Sequence, residues 1–295
     1  LCKAWCRRNG AQITDAINTA WNGFDQILAR CEKLDEEVLA EAAKVSEEYK
    51  AIVSAAWRQT IAAHKLIATP AGEMVLLSKE NDSNGCMGTA DVSYPSIPLF
   101  LKYNPELVNA LARPILEFAS MPVWTDDFAP HDVGRYPILN GQFYGMRMES
   151  QMPVEECGNM LIMMANIAFV DNNTEFFDKY ADILAQWVNY LIEYGMDPEH
   201  QLCTDDFAGH LAHNCNLSLK AIMGIEGYGL VLKMKKSPEA DFYLSKAKAM
   251  ADNWVKTAAN SDGSFRLTFD KENNTDTFGW HELLSYALDA SQDIP

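Results

Sequence analysis

Residues 158–170 have the sequence Gly-Asn-Met-Leu-Ile-Met-Met-Ala-Asn-Ile-Ala-Phe-Val, which is apolar on nearly every side of a helix. A helix that has no polar face is buried on all sides. Residues 214–233 show the same pattern less strictly, through Leu217, Leu219, Ile222, Met223, Ile225, Leu230 and Leu232. The sequence therefore predicts that both helices lie in the interior of the protein.

Helices with a single apolar face alternate with these two along the chain. Apolar residues recur at steps of three and four in residues 46–68, 104–119, 174–195 and 238–259, with charged residues between them. This alternation predicts an all-α fold, an α/α toroid of helical hairpins in which outer amphipathic helices shield inner buried ones. A long helical bundle is the alternative that the same pattern allows.

The connections between the helices are of two kinds. Inner helices are joined to the following outer helices by short turns, such as residues 171–173 and 235–237. Outer helices are joined to inner ones by four long segments, which are residues 69–95, 120–153, 196–212 and 260–279. Loops longer than about 12–15 residues are usually functional or disordered, and the aromatic residues in these segments argue against disorder. Because all long loops of a toroid lie at one end, we expect the chemistry there.

One motif occurs twice in the long segments. Residues 125–131 are Thr-Asp-Asp-Phe-Ala-Pro-His, and residues 204–210 are Thr-Asp-Asp-Phe-Ala-Gly-His. Both copies lie between an outer and an inner helix, which favours repeated hairpins. A repeated capping motif, in which Asp accepts from helix N–H groups and Phe packs beneath, is the alternative.

The composition excludes several classes of function. The 295 residues carry a formal net charge of −17, which argues against binding to a nucleic-acid backbone or an anionic membrane surface. No apolar stretch approaches the ~20 residues that a membrane-spanning helix requires. The seven cysteines lack a Cys-x-x-Cys pair and do not suggest a disulfide framework. We expect one domain over residues 1–295, and its first residues lack the apolar centre of a signal peptide.

Carboxylates are concentrated in the long segments, and Glu155 and Glu156 stand at the start of an inner helix. Carboxylates that lie close together repel, so some of them have raised pKa values and serve as general acids while others stay ionised. A carboxylate pair is also what the hydrolysis of a glycosidic bond requires, and aromatic residues such as Tyr136 would stack on a sugar ring. A solvated acidic surface without function is the alternative.

Patterns for metals and nucleophiles are poor. Cys203, His210, His213 and Cys215 lie close in sequence, but their spacing matches no zinc pattern, and capping or packing roles are expected. Residues 270–276 alternate oxygen ligands as a calcium loop does, yet they lack the Gly and the distal Glu of that loop. No cofactor is therefore expected, and calcium is the alternative. The chain has no Gly-x-Ser-x-Gly motif and no Gly-rich phosphate loop.

Five motifs follow one another along the chain: Lys-Glu-Asn (79–81), Thr-Ala-Asp-Val-Ser-Tyr-Pro (89–95), His-Asp-Val-Gly-Arg-Tyr-Pro (131–137), Met-Pro-Val-Glu-Glu-Cys-Gly-Asn-Met (152–160) and Asp-Asp-Phe-Ala-Gly-His-Leu-Ala-His-Asn (205–214). Together they resemble the six-helical-hairpin domain of the glutaminase A family, over residues 21–266. The resemblance implies an architecture similar to six-hairpin glycoside hydrolases, an extracytoplasmic location, and an additional N-terminal β-rich domain in the full-length protein.

The chain departs from this family's pattern at a few places. Cys157 stands where the resemblance implies Ser, and Cys215 where it implies Thr. Residues 280–295 fit the family poorly, and the chain is short for twelve complete helices. The toroid is therefore expected to lack a hairpin or to take one from elsewhere.

Glutaminase, which cleaves L-glutamine to L-glutamate and ammonia, is the activity that the resemblance implies. A glycoside hydrolase with paired carboxylates and a non-catalytic carbohydrate-binding or scaffold role are the alternatives, and the partner is a small-molecule or glycan substrate. The expected catalytic carboxylates are Asp91, Glu156 and Asp206. The expected substrate-binding residues are Glu80, Asp127, His131, Asp132, Tyr136, Glu155, Asn159, Asp205, His210 and Asn214.

Overall fold

The protein is mostly helical in a computed structural model whose described residues are 2–80, 84–143, 147–204 and 210–271. The helices are α1 (Ile13–Asn22), α2 (Phe24–Ala43), α3 (Glu47–Ala63), α4 (Ala90–Ser93), α5 (Ile97–Tyr103), α6 (Glu106–Ala119), α7 (Pro153–Asp171), α8 (Glu175–Lys179), α9 (Ala181–Tyr194), α10 (Cys215–Met234) and α11 (Ala240–Ala258). The predicted all-helical class is confirmed.

Short turns join the buried helices to the outer helices that follow them. α5 leads into α6, α7 into α8 and α9, and α10 into α11. The turns after α7 and α10 contain Asn172 and Lys236 in the left-handed conformation, with φ of 49° and 56°, which ends each helix sharply. These are the short inner-to-outer turns that the sequence predicts. The closure of the hairpins into a toroid stays a prediction.

α7 and α10 form the centre of the core and pack against each other. Their side chains are buried on nearly every side, as the apolar patterns predict. α9 contacts both helices, α6 packs on α7, and α11 packs on α10. Because Glu155 belongs to α7 and Lys220 to α10, the contact between these helices also holds together two residues of the site described below.

A small antiparallel sheet, which the sequence patterns did not predict, precedes the hairpins. It consists of β1 (Lys3–Ala4), β2 (His64–Ala68) and β3 (Met74–Ser78) in that order. The helix predicted over residues 46–68 was therefore too long, since α3 ends at Ala63. The β2–β3 turn contains Gly72 with φ of 88°, which an L side chain rarely adopts. Backbone pairing with β3 outweighs the helical periodicity at this point.

The helices α1 to α3 leave many large apolar side chains exposed, among them Ile13, Trp21, Phe24 and Ile52. α2 and α3 pack on each other, and Trp57 of α3 contacts Tyr103 of α5 edge-to-face, with ring centroids 4.7 Å apart. The prediction that residues 1–295 form a single domain stays a prediction.

Across the described part of the chain, no helix combines the length and the apolar character that crossing a membrane requires. The strongly apolar helices α7 and α10 are covered by other helices of the same chain.

The close approach of α7 and α10 depends on glycine. A Cβ added at Gly158 would lie 2.8 Å from the carbonyl oxygen of Lys220, whereas one added at Gly227 would meet the methyl group of Ala165 at 3.0 Å. We expect Gly158→Ala to lower the free energy of unfolding by up to about 2 kcal/mol, because overpacking against backbone costs about 1–3 kcal/mol and alanine regains only about 1 kcal/mol of helix propensity.

Urea denaturation measures this effect, with Gly227→Ala as the matched control. We expect the smaller loss for the control, since a methyl group yields more easily than a backbone carbonyl. A Gly158→Ala variant as stable as the parent protein would show that the helices separate without cost.

Candidate active site

The first turn of α7 places two adjacent carboxyl groups inside the protein. Pro153 occupies the start of the helix, where its missing N–H costs nothing, and Glu155 and Glu156 follow in the first turn. Glu155 is 1% exposed and Glu156 is 0% exposed. The positive end of the helix dipole favours acidic groups here, but it offsets only part of the cost of burial.

Glu155 is fully occupied by partners from two other segments. Its Oε1 accepts from Lys220 Nζ of α10 and from the Thr204 hydroxyl at 2.5 Å, and its Oε2 accepts from the Thr204 backbone N–H at 2.8 Å. Lys220 is 5% exposed and lies over the ring of Tyr94. Burial opposes the charge on Lys220, but the neighbouring Glu155 outweighs it, so the pKa of Lys220 is raised. Glu155 and Lys220 therefore form a buried ion pair.

Asp91 and Glu156 are less completely paired. Asp91 Oδ2 lies 3.2 Å from the Thr204 hydroxyl, and Glu156 Oε2 accepts from Asn159 Nδ2 at 3.0 Å. Within the described segments, Asp91 Oδ1, Glu156 Oε1 and Asn159 Oδ1 are buried without a hydrogen-bond partner. Burial, supported by the nearby carboxylates, raises the pKa of Asp91 and raises the pKa of Glu156 well above its ordinary value.

His131 approaches the same two carboxyl groups from the segment before α7. Its Nδ1 lies 2.9 Å from Asp132 Oδ2, and its Nε2 lies 3.7 Å from Asp91 Oδ1. Asp132 is held in turn by the backbone N–H groups of Gly134 and Phe143, which both donate to Oδ1. Burial disfavours the charged imidazole, but the hydrogen bond to Asp132 and the charge of Asp91 outweigh it, so the pKa of His131 is raised.

One donor atom each of Asp91, His131 and Glu156 lies within 4.8 Å of the other two, and we call these three residues the buried cluster. A cavity of about 20 Å³ adjoins it, which is room for one water molecule. The residues that line the cavity are Asp91, Tyr94, Pro95, Glu155, Thr204, Asn216 and Lys220. Thr204 is exposed and marks the side of the cavity that faces solvent.

Two larger hollows lie elsewhere, of about 540 Å³ between α2 and α3 and about 680 Å³ beside the end of α3. The first is lined mainly by apolar side chains, and neither is lined by a residue of the buried cluster. Proton-transferring groups are concentrated at the small cavity, where carboxyl groups with raised pKa values lie beside an imidazole. This combination suits general acid–base chemistry on a bound molecule.

The structure brings six of the predicted site residues together, namely Asp91, His131, Asp132, Glu155, Glu156 and Asn159. Glu80 lies at the edge of this group, where it accepts from the hydroxyl of Thr89. Asp205 and Asp206 lie outside the described residues, as does most of the predicted calcium loop. Their predicted roles stay predictions.

Other predicted residues have different surroundings. Asp127 is exposed, Tyr136 is 53% exposed and lies beneath Lys79, and exposed His210 lies 5.5 Å from the ring of His200. Asn214 is the N-cap of α10 and accepts from two backbone N–H groups there. The printed contacts of these four residues do not join them to the buried cluster. Their binding roles therefore stay predictions that the geometry does not support.

Three residues at the cavity were missed by the sequence analysis. Thr204 adjoins the repeated Asp-Asp-Phe motif, Lys220 is a cation inside an otherwise apolar helix, and Asn216 lies two residues after the N-cap. A lysine in the middle of an apolar pattern was the signal that was available, because such a residue is almost never buried without a partner. Cys157, where serine was implied, is buried, and its Sγ accepts from the Ala129 N–H.

Comparison with known proteins adds independent information on this chain. A sequence model of the Glutaminase A six helical-hairpin domain matches residues 46–289, which include the whole buried cluster. Glutaminase A of Aspergillus oryzae is 34% identical over 254 residues, covering 85% of this chain and 36% of the fungal protein. A protein named probable glutaminase, from Arthroderma benhamiae, is 28% identical over 293 residues, covering 79% of this chain and 34% of its own length. The chain thus spans about a third of the length of these relatives.

Proposed function

Because the chain belongs to the glutaminase A six helical-hairpin family, we propose that it is a glutaminase-like hydrolase with its active centre at the buried cluster. The reaction is cleavage of the side-chain amide of L-glutamine to L-glutamate and ammonia. An extracytoplasmic location, which the family resemblance implies, remains part of the proposal.

The observation that supports this location is the arrangement of Asp91, His131 and Glu156. They come from three separate segments, are almost completely buried, and have donor atoms within 4.8 Å of one another. Buried polar atoms in proteins are nearly always hydrogen bonded, so carboxyl oxygens left without a donor among the described residues need an explanation. A site that binds and transforms a polar molecule provides one, since functional sites retain groups that stability alone would remove.

The neighbouring residues supply what amide hydrolysis requires. A water molecule in the 20 Å³ cavity would lie against Asp91, whose carboxylate takes up a proton as the water attacks the amide carbon. The Lys220 ammonium lines the same cavity and would stabilise the negative charge that develops on the carbonyl oxygen. Ammonia leaves with a proton from the buried acid Glu156. Since the cavity is small, we propose that only the carboxamide end of the substrate reaches it.

A substrate comparison tests the proposal. The purified chain is incubated with L-glutamine, and ammonia and glutamate are measured separately. L-asparagine, which is one methylene shorter, is the matched control substrate, and a glycan panel is assayed for reducing ends. We expect equal amounts of ammonia and glutamate from L-glutamine, and less product from L-asparagine because its shorter side chain reaches the buried cluster less well.

Release of reducing sugar without ammonia would instead establish the glycosidase alternative. The donor oxygens of Asp91 and Glu156 are at most 4.8 Å apart. That is closer than the separation of about 6.5–9.5 Å between the carboxyl groups of an inverting glycosidase. If sugar were the product, the same two carboxyl groups would therefore act with retention.

A further inference from the structure

The three residues of the buried cluster are arranged around a common centre. Asp91 belongs to α4, His131 to the segment before α7, and Glu156 to the first turn of α7. The His131 and Glu156 residues are 4% and 0% exposed, and the side chain of Asp91 is 10% exposed. One oxygen or nitrogen of each lies within 4.8 Å of the other two.

In each carboxyl group, one oxygen is occupied and the other is not. Thr204 lies at Asp91 Oδ2, and Asn159 donates to Glu156 Oε2. The remaining oxygens, Asp91 Oδ1 and Glu156 Oε1, have no hydrogen-bond donor among the described residues, although both are buried. These are two acceptors, rather than a donor and an acceptor, so they cannot satisfy each other unless one takes up a proton or a cation lies between them.

His131 is oriented in the way that metal-binding histidines usually are. Its Nδ1 is held by the carboxylate of Asp132, and its Nε2 is directed towards Asp91. Asp132 cannot rotate freely, because its other oxygen accepts from two backbone N–H groups. A carboxylate behind the ring that fixes the orientation of a histidine is the usual outer partner of a metal-bound imidazole.

We propose that Asp91, His131 and Glu156 bind a divalent first-row transition-metal ion, with zinc as the representative. Two carboxylate oxygens and one imidazole nitrogen form the three-ligand set that leaves a coordination position for water. Calcium prefers six to eight oxygen ligands and fits this set poorly. The sequence analysis expected no metal, and the proposed site is distinct from the Cys203 and His213 group that it considered.

A second group of possible ligands, Cys86, His131 and Asp132, shares the histidine but is a weaker candidate. Both oxygens of Asp132 already accept hydrogen bonds, one from His131 and the other from Gly134 and Phe143. Metal binding there would break these bonds and leave buried N–H groups without acceptors. Asp132 is therefore assigned as a positioning residue for His131.

The role of this ion in hydrolysis rests on the proposed function, whereas the binding of the ion does not. A bound zinc ion lowers the pKa of its water molecule and so supplies a nucleophile at neutral pH. The cavity of about 20 Å³ beside Asp91 has room for that water molecule.

Zinc binding by the purified chain tests the inference directly. The protein is stripped with a chelator, dialysed, and titrated with zinc chloride, and the bound zinc per chain is measured by calorimetry and elemental analysis. Asp91→Asn removes a ligand, and Asp252→Asn, on the exposed face of α11, is the matched control. Zinc held by the exposed thiols of Cys2, Cys6 and Cys31 is the same in all variants and cancels in the comparison.

We expect the parent and Asp252→Asn proteins to bind one more zinc ion than Asp91→Asn does. Asp132→Asn is expected to weaken this binding about 10–100-fold without removing it, as the loss of an outer partner does. A circular-dichroism spectrum checks that each variant is folded. Equal zinc binding by the parent and Asp91→Asn proteins would overturn the inference.

The two proposals fail in different ways. Zinc bound through Asp91, with no ammonia released from L-glutamine, would leave the metal site and overturn the glutaminase. Ammonia released at an unchanged rate by the stripped protein, with no zinc bound through Asp91, would leave the glutaminase and overturn the metal site.

Discussion

A Glu155→Gln substitution is expected to lower the free energy of unfolding by about 3–5 kcal/mol, because it leaves the Lys220 ammonium buried without its counter-charge. The neutral amide still accepts hydrogen bonds from Lys220 and Thr204, but it no longer compensates the charge that burial makes costly. Chemical denaturation followed by circular dichroism measures the loss.

The control for this prediction is the repair of the pair. Lys220→Met in the Glu155→Gln background removes the uncompensated charge and keeps the volume of the side chain, so we expect most of the lost stability to return. Asp252→Asn breaks the exposed pair with Lys248 and is expected to change the stability little. A double variant that is no more stable than Glu155→Gln alone would mean that the ion pair is not what Glu155 contributes.

A Glu156→Gln substitution is expected to reduce kcat/KM for glutamine hydrolysis about 10²–10⁴-fold without loss of stability. The proposed reaction uses this acid to protonate the leaving ammonia. The glutamine amide gains N–H donors beside Asp91 Oδ1, a buried acceptor that has no other donor among the described residues. The same change therefore removes the chemistry and relieves an unfavourable burial. Ammonia release and thermal denaturation, measured on one preparation, give both quantities.

Glu175→Gln is the matched control, because Glu175 is an exposed glutamate on α8. It is expected to leave both the activity and the stability unchanged. The opposite result for Glu156→Gln, with full activity per folded molecule and a large loss of stability, would show that Glu156 serves only the fold.

The sequence predicts the interior of this fold well because the decisive signal is local. Residues 158–170 have no polar face, so the burial of α7 follows whatever surrounds it. The hairpin of β2 and β3 was missed because strand pairing joins residues that periodicity treats separately. Gly72, at the turn between these strands, was the local sign of a hairpin.

The site was predictable in its composition but only partly in its membership. The carboxylates at positions 91 and 156 and the histidine at 131 were identified as candidates, but their approach to within 4.8 Å depends on helix packing that no spacing rule specifies. Lys220 was missed because its partner, Glu155, lies on a different helix. Asp127 and Asn214 were included because of their motifs, while their exposure and capping role emerge only in three dimensions.

The most direct test of the account is a crystal structure of the Glu156→Gln variant with L-glutamine. It should show the carboxamide at the cavity, with its carbonyl oxygen towards Lys220 and its carbon within reach of a water molecule held by Asp91. L-Glutamine bound instead in the hollow beside the end of α3, with the cavity unchanged, would contradict the claim that Asp91, His131, Glu156 and Lys220 form one active centre.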